Sequence, residues 1–185
     1  ARGPAQGGTA RNSLTGDLDA VRDYGGRVAV MDVLGVRVEL PNNQPIVLLK
    51  EREGSRHLPI WIGAAEASAI AYAQQGVVPP RPLTHDLMAD LLVQLGASLR
   101  RVEITELKDG AFHAVLVLSS EAGHETRVDS RSSDAIALAL RAGAPIEAGE
   151  SLLAEVGVTM APEAEVEGGE TGDTQSEDVL AEFKE

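Results

Sequence analysis

The strand-forming runs of this sequence come in two groups, and helix-forming segments separate and follow them. Runs rich in Val, Ile and Leu predict strands, and Pro41-Asn42-Asn43 and Asp109-Gly110 are the turn signals that join neighbouring runs into hairpins. Strands in groups favour an α+β fold with a mainly antiparallel, mixed sheet packed against helices over a doubly wound fold, in which strands and helices alternate. The expected strands are residues 28–40, 45–50, 57–62, 99–107, 111–119 and 125–129, with a short extended piece at 144–147.

The helix-forming segments are recognised by their ends as much as by their composition. Glycine is the residue that most often closes a helix, and Ser or Thr is a common first cap. Thr84 is therefore expected to cap a helix that Gly96 closes, and Ser132 or Ser133 a helix that Gly143 ends. The expected helices are residues 64–75, 85–95, 134–142 and 150–156, and the proline-rich stretch 77–82 is expected to be an extended connector.

Composition narrows the class of protein further. Hydrophobic residues make up 43% of the chain but aromatic residues only 3%, so the core is expected to be aliphatic. Cysteine is absent, which excludes disulfides and thiolate metal sites and makes a reducing cytoplasm the expected setting. No apolar run approaches the roughly 20 residues that cross a bilayer, and the first residues lack the apolar core of a secretory signal, so no membrane partner is expected.

The charge is unevenly distributed, and its distribution suggests the domain boundaries. Of the net charge of −13, residues 163–185 contribute −8 from nine acidic residues and one lysine, and residues 1–26 contribute none. We expect a disordered N-terminal extension (1–26), a single α+β domain (27–160) and an acidic disordered tail (161–185), with 178–184 as the part of the tail that favours a helix. The mildly acidic body argues against tight non-specific binding to a phosphate backbone.

Three segments carry residues that suit chemistry. The first is Pro59-Ile60-Trp61-Ile62-Gly63, which leads from a strand into a helix with Glu66 in its first turn. Glu66 is a candidate metal ligand. The alternative is that Glu66 only complements the helix dipole and that Trp61 only fills the core.

The second segment is Pro80-Arg81-Pro82-Leu83-Thr84-His85-Asp86, at the start of the next helix. Two prolines hold Arg81 in an extended backbone, and a helix N-terminus favours an anion. A phosphate could be held by Arg81 and Thr84, with His85 as acid or base and Asp86 as a metal ligand or orienting partner. The alternative is plain capping by Thr84 and Asp86, with His85 on the surface.

The third segment is Arg127-Val128-Asp129-Ser130-Arg131-Ser132-Ser133-Asp134, which precedes an Ala/Leu-rich helix. It is either a cap or an anion-binding site, in which Arg131 and Ser133 would hold the anion and Asp134 would take a catalytic or metal-binding role. Asp129 and Asp134 could share a divalent cation with Asp86. The other histidines, His57, His113 and His124, stand alone in strand or turn contexts and are expected to be ordinary surface or sheet residues.

The same three segments, together with Ala135-Ile136-Ala137-Leu138-Ala139 and Arg141, resemble the bifunctional nuclease domain family, and the actinobacterial branch is the most similar. The resemblance covers about residues 28–160. Ser132 departs from the family, which commonly has Pro before Ser-Asp. The resemblance implies an α+β domain that self-associates into a homo-oligomer and cleaves both DNA and RNA.

Two functions remain open from the sequence. One is a divalent-metal-assisted nuclease: His85, Asp86 and Asp134 would be catalytic, Arg81, Thr84, Arg131 and Ser133 would bind the phosphate, and Asp86, Asp134 and Glu66 would hold Mg²⁺ or Mn²⁺. The other is a non-catalytic regulatory module that binds a small anionic ligand or a protein partner. The acidic body, the few aromatic residues for base stacking and the lack of a basic groove favour the second.

Overall fold

Eight strands form one sheet in the computed structural model, which describes residues 26–39 and 41–159. Numbered along the chain, the strands are β1 (Val28–Glu39), β2 (Gln44–Glu51), β3 (Arg56–Trp61), β4 (Ala97–Lys108), β5 (Ala111–Ser120), β6 (Glu125–Arg131), β7 (Ile146–Gly149) and β8 (Val158–Thr159). From one edge of the sheet to the other, their order is β6-β5-β4-β7-β1-β2-β3-β8.

The sheet consists of two antiparallel meanders with β7 between them. Strands β1, β2 and β3 form one meander, and β4, β5 and β6 form the other. Strand β7 runs antiparallel to β1 and parallel to β4. Asn43 and Asp109, each with φ 51°, take the left-handed turn conformation at the two hairpins that the sequence predicts. The expected α+β fold with a mainly antiparallel mixed sheet is confirmed.

Four helices pack on this sheet: α1 (Ala64–Gln74), α2 (Thr84–Gln94), α3 (Ser132–Ala142) and α4 (Glu150–Val156). Helix α3 lies between α1 and α2 and contacts β4 and β5 beneath it. Its residues 135–139 are all buried, and three of these five are alanines, whose small side chains let the neighbouring helices approach closely. The helix ends at Gly143 in the left-handed conformation, as expected.

The core is aliphatic, as the composition predicts. Leu49, Leu58, Ile70, Ile136 and Leu153 are among its fully buried side chains. The sequence's one Trp is not part of the core. Trp61 is half-exposed and donates a hydrogen bond from Nε1 to Glu39 Oε2 at 3.0 Å, because it occupies the side of β3 opposite to the buried Leu58 and Ile60.

Three details differ from the sequence predictions. Thr84 is the first residue of α2 rather than its cap, and neither Ser132 nor Ser133 caps α3; the caps are Leu83 and Arg131. The two-residue strand β8 was not predicted.

The predicted extensions 1–26 and 161–185 lie outside the described residues, apart from Gly26. None of the helices in the described part of the chain has the length and apolar content to span a bilayer.

Candidate active site

The N-termini of α1, α2 and α3 are linked by polar contacts, and each carries an acidic residue at the same position. Glu66, Asp86 and Asp134 are each the third residue of their helix. A carboxylate in the first helical turn is stabilised by the positive end of the helix dipole. All three positions therefore complement the helix dipole, and each of the three carboxylates also contacts an arginine.

Arg131 joins two of these carboxylates. It stands at the end of β6, immediately before α3, and its guanidinium lies 2.9 Å from Glu66 Oε1 and 2.7 Å from Asp134 Oδ2. Its side chain is 67% exposed, whereas Glu66 and Asp134 are largely covered. Gly63 makes room for this arrangement, since a Cβ atom there would collide with the Glu66 carboxylate. Arg131 is thus the solvent-facing cation of a polar cluster whose members are Glu66, His85, Asp86, Arg131, Asp134 and Arg141.

His85 connects α2 to the same cluster. Its Nε2 lies 3.0 Å from Asp134 Oδ1, and its side chain is almost fully buried. An ionised carboxylate can only accept a hydrogen bond, so Nε2 carries the proton that points to Asp134. In the neutral imidazole the other nitrogen, Nδ1, is then the atom that can accept a proton. This is the geometry in which an aspartate orients a histidine for acid–base chemistry.

Asp86 is held by a different arginine. Arg141, in the last turn of α3, donates from Nε to Asp86 Oδ1, and the backbone N–H of Leu83 donates to Asp86 Oδ2 at 2.9 Å. Arg141 Nη1 also donates to the carbonyl oxygens of Ala69 (3.0 Å) and Ala137 (2.9 Å). With its side chain only 10% exposed, Arg141 contacts α1 and α2 as well as its own helix, α3, and so ties the three helices together.

Arg141 is the member of this cluster to which the sequence reasoning assigned no role. It is seven residues after Asp134, which is two helical turns, so both lie on the same side of α3. A single arginine on the same side as an acidic residue, in a helix otherwise made of small and apolar residues, is the signal that could have indicated it.

The arginines set the protonation state of two of the carboxylates. The hydrogen bond from Arg141 lowers the pKa of Asp86 below its ordinary value, with burial acting in the opposite direction and the Leu83 N–H assisting. For Asp134, burial raises the pKa, but the hydrogen bonds from Arg131 and His85 and the attraction of their charges together outweigh burial, and the pKa is lowered. Both side chains are therefore ionised at neutral pH.

The remaining predicted residues are less closely associated with the cluster. Arg81 and Thr84 are exposed just before and at the start of α2, whereas Ser133 is buried. Asp129 is exposed on β6, and its side chain makes no hydrogen bond or ion pair among the described residues. Within residues 26–39 and 41–159, no three Asp, Glu or His side chains form a group that could hold a metal ion. Asp86, Asp134 and Glu66 are bound to guanidinium groups instead.

A groove of about 450 Å³ adjoins the Asp86–Arg141 pair. Its volume is within the range of small-molecule sites. Two aspartates and one arginine supply its charge, and the arginine is already paired with Asp86. The groove therefore suits an apolar or cationic group better than an anion. Its lining residues are Tyr72, Ala73, Gly76, Val77, Val78, Pro79, Pro82, Asp86, Asp90, Leu140 and Arg141.

Fold and cluster together define a class: an α+β domain in which carboxylate–guanidinium pairs and one buried imidazole gather at three helix N-termini. The model of the bifunctional nuclease domain matches residues 47–161. The chain therefore belongs to the bifunctional nuclease domain family, as the resemblance of its motifs implies.

Relatives of known sequence divide into two groups. An uncharacterized protein of Mycobacterium tuberculosis is 48% identical over 153 residues, which is 83% of this chain and 89% of that protein. Bifunctional nuclease 1 of Oryza sativa subsp. japonica is 29% identical over 118 residues, 62% of this chain and 35% of the rice protein. The bifunctional nuclease of Oryza minuta has the same identity and coverage. This chain thus matches about a third of the length of the rice proteins.

Proposed function

We propose that this protein is a nuclease that hydrolyses phosphodiester bonds of DNA and RNA. The His85–Asp134 contact beside the exposed Arg131 is the observation that carries the proposal, because it supplies an oriented acid–base group next to a cation for phosphate. The family membership and the names of the rice relatives support the same activity. The proposed setting is the cytoplasm, the expectation raised by the cysteine-free sequence.

Each residue of the cluster has a proposed role. Arg131 binds a non-bridging phosphate oxygen, since its guanidinium is exposed and offers several N–H donors. His85, oriented by Asp134, accepts a proton from the attacking water through Nδ1 or returns it to the leaving oxygen. Arg81 and Thr84 are proposed to contact the phosphate from the start of α2. The burial of Ser133 leaves its backbone N–H as the more suitable donor.

The charge of the cluster indicates what else the substrate phosphate needs. With His85 neutral, three carboxylates and two arginines sum to −1, and each helix N-terminus contributes about +0.5. The cluster is thus close to neutral, so an anionic substrate gains little net attraction from it. Additional positive charge, from Arg81 or from a bound cation, is part of the proposal for this reason.

A divalent cation is proposed as that additional charge. Mg²⁺ is often bound by only one or two carboxylates, with substrate phosphate and water completing its coordination, so a preformed group of three protein ligands is not required. Asp86 and Asp134 are the proposed ligands, with Glu66 as the third, and Mn²⁺ is the alternative ion. When bound, such an ion would neutralise the phosphate and activate water. To bind the cation, each of these carboxylates would give up its contact with an arginine.

The test is a cleavage assay on single-stranded DNA and RNA with three purified proteins. His85→Ala removes the proposed acid–base group, and His124→Ala makes the same change on an exposed turn residue outside the cluster. We expect cleavage by the wild type and by His124→Ala, and a loss of about 10²-fold or more in His85→Ala. Equal cleavage by all three proteins would contradict the assignment and indicate another site or a contaminating nuclease.

A second arm addresses the cation. Cleavage is measured after EDTA treatment and again after addition of Mg²⁺ or Mn²⁺. We expect EDTA to abolish cleavage and one of the two ions to restore it. Cleavage that persists in EDTA yet disappears in His85→Ala would retain the nuclease and remove the metal from the proposal.

The second candidate function is a non-catalytic binding module, and the groove beside Asp86 is the observation that favours it. Its two aspartates and apolar walls suit a cationic or apolar ligand, which differs from the anionic ligand expected from the sequence. Absence of cleavage by the wild type, together with a thermal shift on adding a cationic ligand, would favour this function. Self-association into a homo-oligomer, which the family resemblance implies, is proposed separately from these two functions.

A further inference from the structure

In the groove beside the Asp86–Arg141 pair, Asp90 supplies a carboxylate that is open to a ligand. Asp86 and Asp90 both line the groove and lie four residues apart, on one side of α2. Both oxygens of Asp86 are occupied, one by Arg141 and the other by the backbone N–H of Leu83. Asp90 is exposed, and within the described ranges 26–39 and 41–159 its carboxylate accepts no hydrogen bond and forms no ion pair.

Apolar and aromatic side chains form the walls of the groove. Tyr72 of α1 is half-buried, and Val77 and Val78, in the segment between α1 and α2, are 45% and 89% exposed. Pro79 and Pro82, which also line the groove, fix the backbone φ angle at their positions in this segment. Because these walls are held in place, a ligand that enters between them loses little of its binding energy to ordering the protein.

Apolar walls with a free carboxylate complement a nucleobase, which has apolar faces and a polar edge. An unstacked base packs its faces on aromatic and apolar side chains and is recognised by hydrogen bonds to its edge. A carboxylate only accepts hydrogen bonds, so it selects an edge that carries donors. Guanine places two donors side by side, N1–H and the N2 amino group, where both oxygens of Asp90 can accept. In the other bases an acceptor adjoins each donor of this edge and repels a carboxylate.

Charge decides which part of a nucleotide lies in the groove. A phosphate there would be repelled by Asp90, and Arg141 is already paired with Asp86, so the phosphate is attracted to the exposed Arg131 instead. Asp134, which contacts Arg131, and Arg141 are seven residues apart on α3, or about 10 Å. A strand that advances about 3.4 Å or more per nucleotide covers this distance in at most about three nucleotides. A base in the groove is therefore close in sequence to a phosphate at Arg131.

We propose that the groove binds a guanine base of a single-stranded substrate. Tyr72 packs against the base, and Asp90 accepts hydrogen bonds from N1–H and the N2 amino group. The consequence is faster cleavage of strands that carry guanine close to the scissile phosphate. This preference rests on the proposed nuclease function, whereas the binding of guanine itself does not. Asp90 is thus a specificity-determining residue and takes no part in breaking the phosphodiester bond.

Binding is tested first, with nucleosides, which contain no phosphodiester bond to cleave. Guanosine, inosine and adenosine are titrated to about 1 mM against the full chain and followed by saturation-transfer NMR. Inosine keeps N1–H but lacks the N2 amino group, and adenosine has neither donor. The variant is Asp90→Asn, because an amide presents a donor as well as an acceptor. The matched control, Asp109→Asn, makes the same change at the exposed turn between β4 and β5, and circular dichroism establishes that all three proteins fold.

We expect the wild type and Asp109→Asn to bind guanosine most tightly, inosine less and adenosine least. In Asp90→Asn we expect the affinity for guanosine to fall about 10-fold or more, since the hydrogen bonds to a charged acceptor are lost. Absence of guanosine binding by the wild type, with binding of spermidine that depends on Asp90, would overturn the proposal and assign the groove to a cationic ligand.

Cleavage is then tested on single-stranded oligonucleotides of uracil or thymine with one guanine, hypoxanthine or adenine. We expect the wild type and Asp109→Asn to cleave the guanine strand with a kcat/KM about 10-fold above that for the adenine strand, and Asp90→Asn to lose this preference. Equal cleavage of all strands by the wild type, or a guanine preference that Asp90→Asn retains, would overturn the assignment and leave the nuclease in place. Asp90-dependent binding of guanosine without cleavage of any strand would support the guanine site and remove the nuclease.

Discussion

His85 Nε2 and Asp134 Oδ1 lie 3.0 Å apart, although the two residues are separated by 49 positions in the sequence. The contact joins the first turn of α2 to the first turn of α3. It fixes the imidazole by a carboxylate whose pKa is held below its ordinary value by Arg131 and His85 despite burial. The position of His85 therefore depends on a carboxylate that stays ionised at neutral pH.

Changing that carboxylate to its neutral isostere tests whether it orients the histidine. In Asp134→Asn the amide can donate as well as accept, so the Nε2–H tautomer loses its preference. We expect the rate of the chemical step to fall by about 10²-fold or more, measured in single-turnover cleavage. Asp129→Asn, on the exposed part of β6, is the control and should cleave at the wild-type rate. A normal rate in Asp134→Asn would limit Asp134 to a structural role in the first turn of α3.

Arg141 is expected to matter for stability more than any exposed arginine. Arg141→Gln leaves the Asp86 carboxylate and two carbonyl oxygens without their charged donor, and breaking such a largely buried pair costs about 3 kcal/mol. This lowers the thermal midpoint by roughly 10 °C.

The matched control for Arg141→Gln is Arg52→Gln. Arg52 pairs with Asp32, and both side chains are about half exposed, so the free energy of unfolding should change little. Differential scanning calorimetry of the two variants checks the comparison. Equal losses would show that the Asp86–Arg141 pair has no special structural role.

The lowered pKa values of Asp86 and Asp134 predict how stability depends on acid. A carboxyl group with a lowered folded pKa contributes stability that is present above its unfolded value, 3.8 for Asp, and lost as pH falls through the folded value. We expect the contribution of Asp86 and Asp134 to the free energy of unfolding in urea to be nearly constant from pH 7 to about pH 5 and to fall below about pH 4. The fall should be smaller in Asp86→Asn, and an identical pH profile in this variant would contradict the prediction.

Glu147 on β7 is expected to behave in the opposite way. Burial raises its pKa, Arg101 lowers it and Glu103 raises it, with the net direction upward from 4.5. The folded protein therefore disfavours the ionised form of Glu147. The resulting loss of stability is fully present above the folded pKa and disappears as the pH falls towards the unfolded pKa. Glu147→Gln should raise the free energy of unfolding at pH 7 by up to about 1 kcal/mol and by less at pH 5. Destabilisation at pH 7 would show that the Arg101 contact outweighs burial.

The sequence was most informative where local chemistry decides the structure. Asp109-Gly110 and Gly143 each require a backbone conformation that few residues adopt, and both the hairpin and the helix end were predicted correctly. Helices α2 and α3 begin one and two residues earlier than predicted, because their N-cap residues are Leu83 and Arg131. Neither helix start is capped by a side-chain hydroxyl. At the start of α2, the backbone N–H of Leu83 instead donates a hydrogen bond to the Asp86 carboxylate.

The candidate site could be predicted residue by residue but not as a network. His85, Asp86, Asp134, Arg131 and Glu66 were all identified as polar residues at helix starts. Their pairing depends on the packing of α1 and α2 against α3, and a single sequence gives no distance between helices. Arg141 could not be linked to Asp86 for the same reason, since 55 residues separate them.

The place of β7 between the two meanders has a consequence for how the chain acquires its structure during synthesis. Each meander joins strands that are neighbours in sequence, so each can form soon after its residues leave the ribosome. The two halves of the sheet are connected only through residues 146–149, which are made after both meanders. We therefore expect a nascent chain that ends before residue 146 to have unpaired inner edges on β1 and β4, with its two halves joined only by the packing of α1 against α3. Pairing of residues 146–149 with both edges then completes the single sheet.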